Sequence, residues 1–341
     1  AHLKFERQVH GAATLQELVR AGRARADSII ARMHALIPFA SSASEAASHV
    51  LHDLRLPALT RLLQGLTPTP RIESDPTSLS PPHERALAAE WGWPFVDGAL
   101  PFAARAAAAD GIAVGELAWG LLTPTHWSAG RDHVTLLDPA ALALDEAESR
   151  AFFDAVRSLF ESEGFALAWG APLRWYAAHP SLAGLPCASV DRAVGRNIDT
   201  WLPKTPAQRL LRRLQSEVQL LLYTHPLNQA REDRGALVVN SFWLSGCGVW
   251  RLQGGSPIEV LDSLRAPMLA SDWAAWAEAW QALDAGPIAA LAQRGAAGER
   301  ITLTLCGERH AQSFEAQARS LWKRVAGHWR SAAPAAVLEA L

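Results

Sequence analysis

Between His225 and Gly248 the chain gathers side chains suited to holding an anion. His225, Asn228, Arg231 and Asn240 are spread over a helix end, a short polar turn and a following strand, which runs into Gly246-Cys247-Gly248. A guanidinium can grip a phosphate through two parallel hydrogen bonds. Glycines permit positive φ or close approach of a ligand to the backbone. The same residue types also fit an architectural role, with His225 and Asn228 capping a helix and the glycines making a tight turn. Both readings stand at this level. A lone Gly-x-Gly is a weak nucleotide signal, and no GxGxxG or GxxxxGK[ST] loop occurs.

Three further groups have chemical character. Asp191-Arg192 with Arg196-Asn197 and Asp199 reads as an anion site or as a salt-bridged loop. Thr125-His126-Trp127 offers a base beside an indole, and a packed pair is the simpler reading. Cys247 has the setting of a nucleophile between two glycines, yet no His lies near it in sequence to activate a thiolate. The simpler reading is again a small buried residue. Neither HExxH nor GxSxG is present.

Hydrophobic periodicity predicts the elements that must position these residues. Asp145 and Glu148 have capping-box spacing ahead of a helix whose Phe152, Phe153, Val156, Leu159 and Phe160 share one face, with Gly164 at its end. A helix over 206–223 turns Leu210, Leu211, Leu214, Val218, Leu221 and Leu222 inward, and Arg209, Arg212, Arg213 and Glu217 outward. Helices are also expected over 14–32, 83–91, 99–109, 271–291 and 312–329, with Trp273, Trp276 and Trp280 as a core stripe. Strands are expected over 115–123, 134–137, 165–169, 173–177, 237–244 and 301–306. The Pro/Thr/Ser-rich stretch 66–83 reads as a surface linker. Residues 1–32 read as an extension, with Met33 a natural start. Strands alternating with helices point to an α/β protein.

Composition excludes several classes. The 341 residues are 49% hydrophobic and 19% charged, enough to bury a core and too apolar for a disordered or fibrous chain. Lys and Arg number 32 against 34 Asp and Glu, with no basic stripe, so phosphate-neutralising nucleic-acid binding is disfavoured. Apolar runs break before the roughly 20 residues of a spanning helix, so no membrane partner is expected, and no signal-peptide layout is seen. Cys187, Cys247 and Cys306 form neither a disulfide framework nor a zinc motif, which suits a reducing cytoplasm.

The positions His225, Pro226, Asn228, Arg231, Gly235, Asn240, Gly246 and Gly248 follow the form HPxNxxRxxxGxxxxNxxxxxGxG. This segment resembles one in the archaeal-type, cofactor-independent phosphoglycerate mutases of the alkaline phosphatase superfamily, and 115–200 is similar to their insert domain. From Met33 onward the chain also resembles a narrower bacterial group, the regulatory protein E products of pathogenicity-factor clusters. Residues 125–127, 138–150, 221–226, 239–246 and 303–309 carry that likeness. The resemblance implies a reduced alkaline-phosphatase-like α/β core, residues 33–110 and 249–341, with a mutase-like insert domain over 111–248. Residues of the 225–248 segment (His225, Asn228, Arg231, Asn240, Gly246 and Gly248) would bind a phosphorylated small molecule.

Members of that family hold two divalent metals, usually manganese or zinc, and use a Ser nucleophile. Here the pattern departs. Residues 33–60 lack the Asp-Gly metal motif, and Leu137-Asp138-Pro139 replaces an arginine pair. Ser74-Asp75 and His83 match the nucleophile region loosely. Glu308-Arg309 intrudes where Gly-Asp-His falls, at Cys306–His310, and an arginine there is hostile to a dication. The expectation is therefore a catalytically degenerate relative with a binding or regulatory role and no cofactor. One alternative is an active metal-dependent phosphomutase or phosphatase using Asp75, His83, Asp284, Glu308 and His310 with manganese or zinc. A protein-interaction module presenting surface Trp to a protein partner is the other.

Overall fold

The computed structural model describes residues 33–202, 208–251, 257–316 and 333–341. In chain order the strands are β1 (Met33–Ile37), β2 (Thr67–Pro68), β3 (Ile72–Glu73), β4 (Ala118–Thr125), β5 (Trp127–Ala129) and β6 (Val134–Leu136). Then come β7 (Ala166–Ala171), β8 (Arg174–Ala178), β9 (Ser241–Val249), β10 (Ile258–Val260), β11 (Ile301–Cys306) and β12 (His310–Glu315). They build two main sheets and a small β5–β6 hairpin, interleaved with helices. The protein is mixed α/β, as the alternation of signals required.

In the first sheet β1 lies between β10 and β11, parallel to both, and β12 returns antiparallel beside β11 to meet β2 and β3. Every residue of β11 is buried, the continuous apolar run expected of a strand covered on both faces. One face packs against Trp276, Trp280, Leu59 and Leu62. On the other, Leu36 and Cys306 meet Ala86 and Leu87 of the Pro82–Glu90 helix. Trp276 and Trp280 are core, as their spacing indicated, and Trp273 packs against the same cluster.

The second sheet is antiparallel, in the order β7-β8-β4-β9. The Glu146–Glu161 and Arg209–Tyr223 helices bury Phe152, Val156, Phe160, Leu214 and Val218 on one face. Asp145 caps the first of these helices by accepting from Glu148 N at 2.7 Å. The Phe102–Ala109 helix covers the other face with Ala103, Ala104 and Ala107. These small residues let it sit hard against β9: a Cβ on Gly246 (φ +64°) would meet Ala103 N at 2.8 Å.

Several expectations need correction. Residues 310–315 form a strand where a helix was expected from 312, because pairing with β11 outweighs weak local preference. The 66–83 stretch is not a surface linker: it contributes β2 and β3, and Ser74, Ser78 and Ser80 are buried. The strand expected at 237 begins at Ser241 and contains the Gly-Cys-Gly run instead of leading to it as a loop. The 271–291 helix is interrupted by a π turn over Asp284–Ile288 that contains Pro287. The helix expected over 14–32 lies outside the described residues. No helix among the described residues is long and apolar enough to cross a membrane.

Candidate functional site

Arg231, the expected anion contact, is only 1% exposed. Its Nε donates to the Leu237 carbonyl at 2.7 Å, one Nη donates to Glu148 and the other to the Leu142 carbonyl. Asn228 donates to the Leu222 and Val239 carbonyls at 2.8 and 2.7 Å, and accepts from Val239 N at 2.9 Å. Asn240 treats Trp127 the same way, accepting from its N–H at 2.7 Å and donating to its carbonyl at 2.9 Å. His225 caps the Pro226–Asp233 helix through Leu227 N–H and packs on Phe152, and burial lowers its imidazole pKa. Gly246 faces the Phe102–Ala109 helix, while a Cβ on Gly248 would meet Pro101 at 3.1 Å. The structure does not gather these six residues into one site. His225, Asn228, Arg231 and Asn240 join elements on one side of the second sheet, while Gly246 and Gly248 pack against the Phe102–Ala109 helix and Pro101 on the other. Arg231's Nε and both Nη atoms already meet protein acceptors. His126 is a packed residue whose Nδ1 lies 2.9 Å from the Val238 carbonyl.

A different polar cluster forms where the C-terminal ends of β1 and β11 meet the segment after β8. Ser189 caps the short Val190–Ala193 helix, which carries Asp191 and Arg192. Arg192 is 3% exposed, and its Nη2 donates to Ser74 Oγ and Ser78 Oγ, both at 3.1 Å. The two hydroxyls are 2.6 Å apart. Its Nε is buried with no hydrogen-bond partner. Among the described residues no carboxylate lies within ion-pair distance of this guanidinium; burial and then Arg196 lower its pKa, while Glu308, Glu84 and Asp97 act on it from farther away in the opposite direction. Buried charges are normally paired. The hydroxyls accept from Arg192, and Ser78 Oγ donates on to the Asp75 carbonyl at 2.7 Å. The guanidinium Nε is thus the donor of this cluster left without a protein partner, and it is what could meet an oxyanion.

The neighbours are paired. Asp191 contacts His83 at 3.3 Å and Arg265 at 2.7 Å, and Arg265 reaches Asp138 at 3.0 Å. Burial alone would raise the Asp191 carboxyl, but His83 and Arg265 hold it below the usual range. Burial pushes Glu84 up to about 7. Arg196 pairs with Glu308 at 2.9 Å, and Glu308 also accepts from Ser42 Oγ and Ala43 N. Sequence reading had marked Asp191-Arg192 and Ser74 separately. It missed Ser78 and the joining of the two segments, which stand 114 and 118 residues apart along the chain.

The Cys306–His310 turn, where the resemblance implies a metal motif, is filled from within. The Leu341 carbonyl accepts from Arg309 N at 3.1 Å and His310 N at 2.7 Å. A Cβ on Gly307 would lie 2.6 Å from the Leu341 Cβ. Ser41–Ser44, Glu308–His310 and Glu339–Leu341 line an open groove of about 410 Å³ beside it. Asp75 directs its carboxylate to Thr77 N at 2.7 Å, and Asp284 caps the Pro57–Gly65 helix through Ala58 N and Leu59 N. Asp284, a ligand in the enzyme reading, is therefore engaged elsewhere in the core. Among the described residues no three His, Cys, Asp or Glu side chains gather closely enough to hold a metal ion. With Glu308 committed to Arg196, the donors among the described residues do not fit a two-metal centre.

A cofactor-independent phosphoglycerate mutase from Thermoplasma acidophilum is 15% identical, with 90% of this chain and 99% of that chain covered, at a TM-score of 0.35. A protein from Pyrococcus horikoshii is 10% identical over 84% of this chain and 87% of that one, at a TM-score of 0.41. No protein-family model matches the chain, and no curated protein does. The fold and the site together define an α/β protein with a buried guanidinium that has no ion-pair partner among the described residues, at the junction of its two sheets.

Proposed function

We propose that the protein binds a phosphorylated small molecule on a phosphoglycerate-mutase-like scaffold and serves a binding or regulatory role without two-metal phosphoryl transfer. The scaffold reading rests on the eight matched positions from His225 to Gly248. Arg192 is the observation that carries the ligand reading: a buried guanidinium with two serine hydroxyls and an unpartnered Nε invites a dianionic group. The ligand position thus moves from Arg231, whose donors are engaged, to Arg192 with Ser74 and Ser78.

Calorimetric titration with inorganic phosphate and with phosphoglycerate tests this reading. Wild type is expected to bind one of them, and Arg192→Met to weaken that binding at least tenfold while remaining folded by circular dichroism. Wild-type protein that binds neither, or a variant that binds as well as wild type, contradicts the proposal. Mutase and phosphatase assays in manganese are expected to show no turnover. Two tightly bound dications with turnover abolished by His310→Ala favour the enzyme instead. The protein-interaction reading draws little support here, because no described Trp is among the exposed large side chains, which include Phe95, Leu220 and Tyr223.

A further inference from the structure

Cys247, near the C-terminal end of β9, and Cys187, in the segment after β8, place their sulfurs 3.7 Å apart. Both are free thiols and both are buried. Neither belongs to the polar junction, and no role assigned so far uses them. Their contact joins two elements that matter to the junction: Cys187 stands two residues before Ser189, the cap of the helix that holds Arg192. The intervening Ala188 carbonyl is already gripped by Trp243 Nε1 of β9 at 2.9 Å. On its other side Cys187 lines a partly open, largely apolar cavity of about 40 Å³, with Trp201, Leu211 and Phe242. That volume admits a molecule the size of hydrogen peroxide.

We propose that Cys187 and Cys247 form an oxidation site, in which a hydroperoxide converts the dithiol into a disulfide tying the 185–189 segment to β9. Cys187, which faces the cavity, reacts first. Its thiolate attacks one peroxide oxygen, the O–O bond breaks, and the departing hydroxide takes up the thiol proton as water, leaving a sulfenic acid. The Cys247 sulfur then attacks the sulfenic sulfur. The S–O bond breaks, and the released hydroxide takes the Cys247 proton as a second water. Two thiols lose two electrons and the peroxide gains them. Contact with Cys187 and burial raise the Cys247 thiol pKa and keep it protonated in the reduced pair, and the order of the two steps rests on Cys187 lining the cavity. Cys306 sits in β11 of the other sheet, with its thiol raised by burial, and serves as the internal control.

A disulfide bond of about 2.05 Å requires the sulfurs to close by roughly 1.6 Å from their present separation. To the extent that the 185–189 segment, not cysteine side-chain rotation, takes up this closure, the displacement passes to the Val190–Ala193 helix and lengthens the Arg192 Nη2 contacts, now 3.1 Å. Oxidation is therefore expected to weaken phosphate binding at least threefold. This coupling rests on the anion-site reading, whereas disulfide formation does not.

The test treats full-length protein with hydrogen peroxide, blocks remaining thiols and maps peptides by mass spectrometry under non-reducing conditions. The expected result is a loss of two hydrogens in a cross-linked Cys187–Cys247 pair, one remaining free thiol at Cys306, and full reversal by dithiothreitol. Cys187→Ser and Cys247→Ser each abolish the cross-link. Three surviving thiols, sulfinic acid without a cross-link, or pairing through Cys306 overturns the proposal. Phosphate titration of both redox forms separates the two claims. If the cross-link forms and phosphate binds equally to both forms, the coupling is wrong. If the cross-link forms and the reduced protein binds no phosphate, the anion-site reading fails and the oxidation site stands.

Discussion

Arg231 and Arg192 are both arginines at most 3% exposed, and they differ in the partners their donors find. Arg231 is held by Glu148 and two carbonyls, so its charge is balanced and its donors are directed. Replacing it by Met leaves Glu148, itself 12% exposed, without its buried partner. Arg234, which is exposed, still pairs with Glu148, so the expected cost is below the roughly 3–5 kcal/mol of a buried charge left wholly unpaired, with the Leu237 and Leu142 carbonyls also losing their donors. Arg231→Met is therefore expected to lower the denaturant midpoint; a midpoint within error of wild type contradicts this structural role. Glu84 makes a prediction in pH. Its carboxyl titrates at about 7 in the folded protein against 4.5 as an ordinary glutamate. Between those values the unfolded chain holds fewer protons than the folded one, so stability falls as pH rises through that window. Glu84→Gln is expected to flatten the pH dependence of the unfolding free energy between about 4.5 and 7, and an unchanged slope contradicts it. At this scale the spacing His225-Asn228-Arg231-Asn240 was readable, but the partners each donor finds in the fold separate a joint from a candidate ligand site, and residue type does not carry them.

Elements whose residues settle their structure locally were the legible ones. Asp145 with Glu148 and the five apolar positions that follow specify one amphipathic helix whatever surrounds it. By contrast β12 exists because β11 offers it a ladder, and its sequence, HAQSFE, has little of its own to announce a strand. The turn between these strands depends on Gly307, where the close approach of Leu341 leaves no space for a side chain. Gly307→Val is expected to displace the Pro334–Glu339 helix and its Leu338 anchor. The cost is about 1–3 kcal/mol, the range typical of overpacking. Differential scanning calorimetry checks this through a lowered Tm, and proteolysis through faster cleavage near 333–341. An unchanged Tm contradicts the packing argument.

Across the whole molecule, alternation of strand and helix signals made the α/β class readable. The grouping into two sheets agrees with strands drawn from separate stretches of the chain: β1, β2, β3, β10, β11 and β12 in one, and β4, β7, β8 and β9 in the other. The polar junction between them was not readable as a unit. Arg192 reaches Ser74 and Ser78, and Arg196 reaches Glu308, across separations of 112 to 118 residues, and no local periodicity encodes such meetings. Phosphate titration of Arg192→Lys beside Arg231→Lys, each with folding verified, bears most directly on where the ligand sits. Both variants keep a positive charge, and only the planar fork is lost. The prediction is that Arg192→Lys weakens phosphate binding at least tenfold, while folded Arg231→Lys binds within threefold of wild type. The reverse pattern, with binding lost in Arg231→Lys and retained in Arg192→Lys, returns the ligand to the 225–248 segment and contradicts the junction site.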